Sequence, residues 1–196
     1  MRRFTPRREW APMSDAEWEA LEPYCTRPAS TPGRPLLGTD PRGRMDAMFR
    51  AAVSGEPWRL LPEAHGKGAT VARHFRRLAH AGLWSRLLVA LTLPGCPPAL
   101  RDLEYWICRV ARRAMRLLKM GGLYLARRLG LLSTLPMWPW LMPDPDLSEA
   151  LLRHSLDVMD RAVRGRGPPP GYLDLLGRCI QAAGGRPVWS KRFAPP

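Results

Sequence analysis

One stretch constrains this chain more than any other. Residues 70–81, TVARHFRRLAHA, set Val71, Phe75, Leu78 and Ala79 on one side of a helix and Arg73, Arg76, Arg77 and His80 on the opposite side. Only one arrangement satisfies both sides: apolar residues against a core, cations toward water or a polyanion. Thr70 reads as a residue near the helix start, where its hydroxyl accepts from orphan backbone N–H groups. Gly82 reads as the residue past the helix end that tolerates positive φ. Upstream, Leu60, Leu61 and Pro62 open a short helical turn that stops at Gly66-Lys67-Gly68. Two helical segments joined by a glycine-containing turn, the second basic, give the pattern of a helix-turn-helix over residues 56–82, whose second helix enters a major groove. A bundle helix with a solvated cationic face carries the same charge pattern.

The charge balance of the whole chain bears on that choice. Its 196 residues hold 31 Lys and Arg against 17 Asp and Glu, a net charge of +14, which favours nucleic acid as partner and an anionic membrane surface after it. The length suits one domain or two small ones. No run of apolar residues is long enough to span a bilayer, and the N-terminal MRRFTPRREW has no apolar core behind its charges. A cytoplasmic location is expected. Cys25, Cys96, Cys108 and Cys179 lie far apart without metal-ligand spacing, which predicts reduced thiols in or near cores.

Taken in order, residues 1–12 read as a mobile basic arm. Ser14 and Glu17 form a capping box for a first helix that Pro23 ends, and residues 26–39 read as a Pro/Gly/Arg-rich loop. Asp40-Pro41 gives an N-cap and a first-turn proline, and Met45, Met48, Phe49, Ala52 and Val53 recur with helical period up to Gly55. Trp58 and Trp84 read as core plugs. A further apolar helix over residues 83–93 leads to Pro94-Gly95-Cys96-Pro97-Pro98, taken as the end of a first domain over residues 13–93.

The second half also reads helical, over residues 99–164. Leu103, Trp106, Ile107, Val110, Ala114 and Leu117 line one stripe of a helix over residues 100–120, with Arg109, Arg112, Arg113, Arg116 and Lys119 on the other side and Gly121-Gly122 as its stop. A short helix over residues 123–129 and a proline-broken segment over residues 133–145 follow. Asp146 with Glu149 reads as the start of an amphipathic helix, and residues 165–196 as a linker, a last helix over 172–183 and a loose basic tail. No sustained period-2 alternation occurs, so the fold class expected is all-α: an N-terminal helix-turn-helix domain followed by a helical, proline-interrupted second half.

Residues 13–91 resemble the N-terminal domain of bacterial insertion-sequence transposases of the DDE type. The likeness rests on Ser14-Asp15-Ala16-Glu17-Trp18, Leu21-Glu22-Pro23, Gly33-Arg34-Pro35, Asp40, Arg42 and Asp46-Ala47, then Gly55, Pro57-Trp58-Arg59, Leu61-Pro62-Glu63, Gly66, Thr70-Val71, Arg73, Phe75-Arg76-Arg77, Gly82 and Trp84. Departures are His65 where an aromatic is usual, Lys67-Gly68 in place of a Pro-aromatic pair, and Leu78 in place of Trp. The resemblance implies recognition of element ends, and it does not cover the second half. It makes double-stranded DNA the expected partner, with a possible homodimer. Arg59, Lys67, Thr70, Arg73, His74, Arg76, Arg77 and His80 are the expected DNA-binding residues.

Catalysis by such transposases needs three carboxylates holding two divalent metals on an RNase H-like sheet. Of the carboxylates after residue 94, the pair Asp144 and Asp146 invites a metal reading, but flanking prolines before a helix fit capping better. Asp157 and Asp160 lie beside arginines on one helix, where ion pairing suffices. No phosphate-binding glycine loop and no nucleophile–histidine motif occurs. The chain is therefore expected to be a truncated, frameshifted or repurposed transposase that binds without cutting, with no cofactor, no metal and no small-molecule substrate. The other reading is a basic amphipathic helical protein that binds RNA or an anionic membrane surface.

Overall fold

In a computed structural model, residues 3–25 and 40–185 are described. They form eight α-helices and no strand, as the periodicity predicts. These are α1 (Asp15–Cys25), α2 (Pro41–Ser54), α3 (Gly68–His80), α4 (Leu83–Ala90), α5 (Pro98–Asp102), α6 (Glu104–Arg128), α7 (Pro145–Val163) and α8 (Tyr172–Gly184). Single 3-10 turns at Trp58–Leu60, Glu63–His65, Leu132–Thr134 and Pro139–Leu141 make corners. The expected loop over residues 26–39 and the tail from residue 186 lie outside the described residues.

The capping box of α1 forms: Ser14 N–H donates to Glu17 Oε2 at 2.8 Å, and Glu17 N–H donates to Ser14 Oγ at 3.2 Å. The helix does not end at Pro23 but continues to Cys25. Burial of Leu21 and Cys25 in the core outweighs the backbone hydrogen bond that a proline cannot give. Asp40 caps α2 by accepting from Gly43 N–H at 2.9 Å, Pro41 fills its first position, and Gly55 ends it at φ 79.

α6 is the element on which the rest is packed. It lies against α2, α3 and α4, and its Trp106, Ile107, Val110, Ala111 and Ala114 are wholly buried. The Trp106 ring meets Phe49 of α2 with centroids 5.8 Å apart. A single apolar core runs from Met13 through Leu131. The proline segment at residues 94–98 is a surface turn between helices that share this core, exposed except at Cys96 and flanked by buried Leu91 and Leu100. The physical reason is that the apolar stripes of α2, α3 and α4 face one space, and α6 fills it.

α6 also departs from its expected course. Leu103 separates it from α5, and it runs to Arg128 through a kink at Lys119, at φ 54 and ψ −144. The helix expected to stop at Gly121-Gly122 thus breaks two residues earlier, at Lys119, and both glycines belong to the second helical piece. Gly122 is needed for contact: a Cβ there would lie 2.5 Å from Leu118 Cβ and 3.0 Å from Met115 Sδ. Beyond it Met115, Leu123, Ala126, Leu135 and Met142 form a second, smaller cluster.

The N-cap of α7 is Asp144, not Asp146: Asp144 Oδ1 accepts from Leu147 N–H at 3.2 Å. Asp144 is fixed there by Arg127, whose Nη1 reaches its other oxygen at 3.1 Å inside the protein. Asp146 faces Arg128 at 3.3 Å instead.

Residues 3–12 do not behave as the expected mobile arm. Arg3 donates twice to Glu104, at 3.1 and 2.7 Å, and Thr5 Oγ1 donates to the same carboxylate at 2.8 Å. Arg8 pairs with Glu17 at 2.6 Å and lies over the Trp106 ring at 4.2 Å. Glu104 and Glu17 are buried carboxylates, and a buried charge holds only when a cation meets it. The arm supplies those cations.

Candidate nucleic-acid interface

α3 begins at Gly68, two residues before Thr70, and Lys67 stands at its N-cap without a side-chain hydrogen bond. Thr70 is thus the third residue of the helix and not its cap. The cause is tertiary. A Cβ on Gly68 would lie 2.0 Å from the Trp58 carbonyl oxygen, so the glycine lets the helix start against that backbone. The short helical turn expected before it is present in 3-10 form, ending at Gly66. Residues 57–66 hold two 3-10 turns, because Pro57 and Pro62 impose extended residues at ψ 148 and 145 and Gly66 turns the chain at φ 77. The α-helix that precedes α3 is α2.

The sidedness of α3 follows the sequence pattern. Val71, Phe75, Leu78 and Ala79 are buried, while Arg73, Arg76 and His80 are exposed. Phe75 sits between Trp58 and Trp84, with centroids 5.1 and 5.6 Å away. Thr70, His74 and Arg77 are half-buried, and Arg77 Nη2 lies 3.0 Å from His74 Nδ1. Gly82, at φ 74, separates α3 from α4, and Arg86 Nη1 donates to the Ala81 carbonyl at 2.6 Å across that turn. Lys67 and Arg59 are exposed, and the Arg59 backbone adjoins Gly68, which places both residues at the N-terminal end of α3. The structure thus brings Arg59, Lys67, Arg73, Arg76 and His80 to the surface around one helix and sets His74, Arg77 and Thr70 at its margins.

From sequence, the membrane reading sets the arginines of α6 at lipid headgroups, and a second DNA contact is left open for this half; in the structure they come to the same region as α3. Arg76 lines an open cleft of about 800 Å³ together with Arg109, Arg112, Arg113 and Arg116. Arg109 Nε donates to the Ala52 carbonyl at 3.2 Å, and Arg113 Nη1 donates to the Ala51 carbonyl at 2.7 Å. Both carbonyls belong to the last turn of α2, where cations are favoured. Arg113 also stacks on Trp58 at 4.1 Å, and Arg112 Nη2 donates to the Pro136 carbonyl at 3.0 Å. Burial, then the neighbouring guanidinium groups, push the pKa values of Arg112 and Arg113 down. The spacing 109, 112, 113, 116 was the available signal, since it puts all four on one side of a helix.

Most carboxylates of the second half are committed elsewhere. Asp144 holds Arg127, Asp146 and Glu149 face Arg128, and Asp157 and Asp160 pair with Arg161 and Arg164 at 2.8 and 2.9 Å. Among the described residues no group of three or more His, Cys, Asp or Glu side chains is placed to hold a metal ion. All four thiols are free; Cys25, Cys96 and Cys108 are buried, and burial pushes the Cys25 thiol up to about 12. Among the described residues no helix is long and apolar enough to cross a membrane.

Comparison with known families covers the part of the chain that holds α3. Residues 13–88 match the family described as "Putative transposase of IS4/5 family (DUF4096)". No curated protein and no solved structure matches the chain. The transposase-family region takes in α1, α2 and α3 and ends within α4, with every expected DNA-binding residue inside it. Its apolar core does not end there, because α6 completes it from outside the matched region.

Proposed function

We propose that this chain binds double-stranded DNA in the manner of the end-recognition part of an insertion-sequence transposase. In this reading α3 enters the major groove as a recognition helix, with α2 behind it in place of a tight helix-turn-helix. The observation that carries the reading is the division of α3: a core-facing side closed by Phe75 and Leu78, and an exposed side bearing Arg73, Arg76 and His80. The match to a transposase family over residues 13–88 supports it.

Roles follow from position. Recognition helices read bases mainly with N-terminal residues, so Arg73 and His74 meet base edges. Arg76, Arg77 and His80 meet bases or phosphates, and Arg59, Lys67 and Thr70, around the helix start, meet the backbone. An arginine bidentate to guanine discriminates by about 1–3 kcal/mol, whereas a phosphate contact weakens every sequence alike when lost. Binding titrations on element-end and unrelated duplexes test this. Arg73→Ala relaxes sequence preference, and Lys67→Ala lowers affinity for both duplexes equally; equal preference in wild type and Arg73→Ala would remove α3 as the reader.

Within these residues the role is binding without strand cleavage, since the carboxylates serve as caps and ion-pair partners. Metal-dependent nicking of a duplex by the purified chain, abolished by Asp144→Asn or Asp146→Asn, would overturn that. A cytoplasmic location accords with a DNA partner. The alternative in which α6 lies on an anionic membrane is disfavoured, because its apolar stripe is taken up by the core.

The partner reading includes a second copy. Leu152, Leu156, Met159 and Val163 of α7 are 60, 58, 63 and 89% exposed, at spacings of four, three and four. That is the seam of a two-helix coiled coil, and a homodimer through α7 covers it.

A further inference from the structure

We propose that the arginine-lined cleft between the C-terminus of α2 and α6 is a second phosphate-binding site, across which the duplex held by α3 continues. The inference rests on the reading of α3 as a DNA-binding helix and extends the contact into residues outside the matched family region.

Continuity is the first argument. Arg76 stands on the exposed side of α3 and also lines the cleft, so one backbone leaving α3 passes directly to Arg109, Arg112, Arg113 and Arg116. Charge is the second. Among the described residues no carboxylate pairs with these five arginines, while buried Glu104, Glu17 and Asp144 each hold a cation. Like charges gathered beside low-dielectric walls repel, and an anion docked among them relieves the repulsion. A duplex presents one negative charge per about 1.7 Å of its axis, matching a row of cations better than a single small anion does.

Preorganisation is the third. Arg113 is clamped between the Ala51 carbonyl and the Trp58 ring, Arg109 is held by the Ala52 carbonyl, and Arg112 by the Pro136 carbonyl. Each guanidinium commits one N–H to these backbone oxygens and keeps further donors for a ligand. Capping of α2 accounts for Arg109 and Arg113. It does not account for Arg112, Arg116 or Arg76, whose charges meet in the cleft with no partner of opposite sign among the described residues.

The test is the salt dependence of binding by the full chain to a labelled mixed-sequence duplex. Arg116→Gln and Arg112→Gln each make the plot of log affinity against log salt shallower by about one unit, without changing sequence preference. Arg116→Lys keeps the wild-type slope, because the charge and not the shape is required. Circular dichroism melts confirm folding, and Arg116, for which no hydrogen bond is found among the described residues, is the safer variant. Wild-type slope and affinity in both Gln variants, with Arg73→Ala still weakened, would overturn the cleft and leave α3 standing. Failure of the wild type to bind the duplex at low salt would overturn both. Loss of binding to anionic vesicles or single-stranded RNA in Arg116→Gln, with duplex binding intact, would also overturn the cleft as a duplex site.

Discussion

Gly68 fixes where α3 starts, and it does so through an atom ten residues away. With a Cβ 2.0 Å from the Trp58 carbonyl, Gly68→Ala forces backbone apart. Overpacking of this kind costs about 1–3 kcal/mol, so a lower melting temperature is expected, read by circular dichroism. An unchanged melt would mean that the helix start is not pressed on Trp58. Asp46 is a different case. It is buried, its Oδ1 accepts from Met13 N–H at 3.0 Å, and burial raises its pKa above the ordinary 3.8. The folded state therefore holds the proton more tightly than the unfolded chain. Its contribution to stability is full below the unfolded value and declines as pH rises from there through the higher folded value. Asp46→Asn keeps an acceptor and removes the charge, and should flatten that part of the stability–pH curve in thermal melts; an unaltered curve would contradict the burial argument.

At the scale of elements, the two sides of α3 were legible because period 3.6 leaves Val71, Phe75 and Leu78 nowhere but a core. Phe75 is packed between two tryptophans, so Phe75→Ala is expected to destabilise by about 3–5 kcal/mol in denaturant unfolding. A loss below about 1 kcal/mol would place Phe75 outside the core. The helix start was not legible, since Thr70 offers a plausible cap and only the Trp58 backbone explains why Gly68 precedes it. The helical turn expected before α3 takes 3-10 form for a local reason: Pro57 and Pro62 leave room for single turns but not for an α-helix. A break in α6 near Gly121-Gly122 was legible, but its place at Lys119 was not, because Gly122 is kept for its contact with Met115 and Leu118. The side of α6 that carries its arginines could be read from spacing. Their meeting with Arg76 could not, because it depends on how α6 crosses α3.

Over the whole molecule, one core joins the transposase-family region to α6, so truncation after residue 93 removes Trp106, Val110 and Ala114 and should leave α1–α4 unable to fold alone. In the proposed homodimer the α7 seam is the contact between copies. Leu156→Glu is expected to turn a dimer into a monomer in sedimentation equilibrium while leaving the helical signal unchanged, and a wild-type chain that is monomeric at high concentration would dispose of the seam. The central claim, that α3 holds DNA, is tested most directly by the low-salt affinity of the folded Arg73→Ala/Arg76→Ala/Arg77→Ala variant for an element-end duplex. The account predicts loss of both affinity and sequence preference with an unchanged circular dichroism spectrum. Wild-type affinity in that variant would contradict it and leave α3 as the solvated face of a helical bundle.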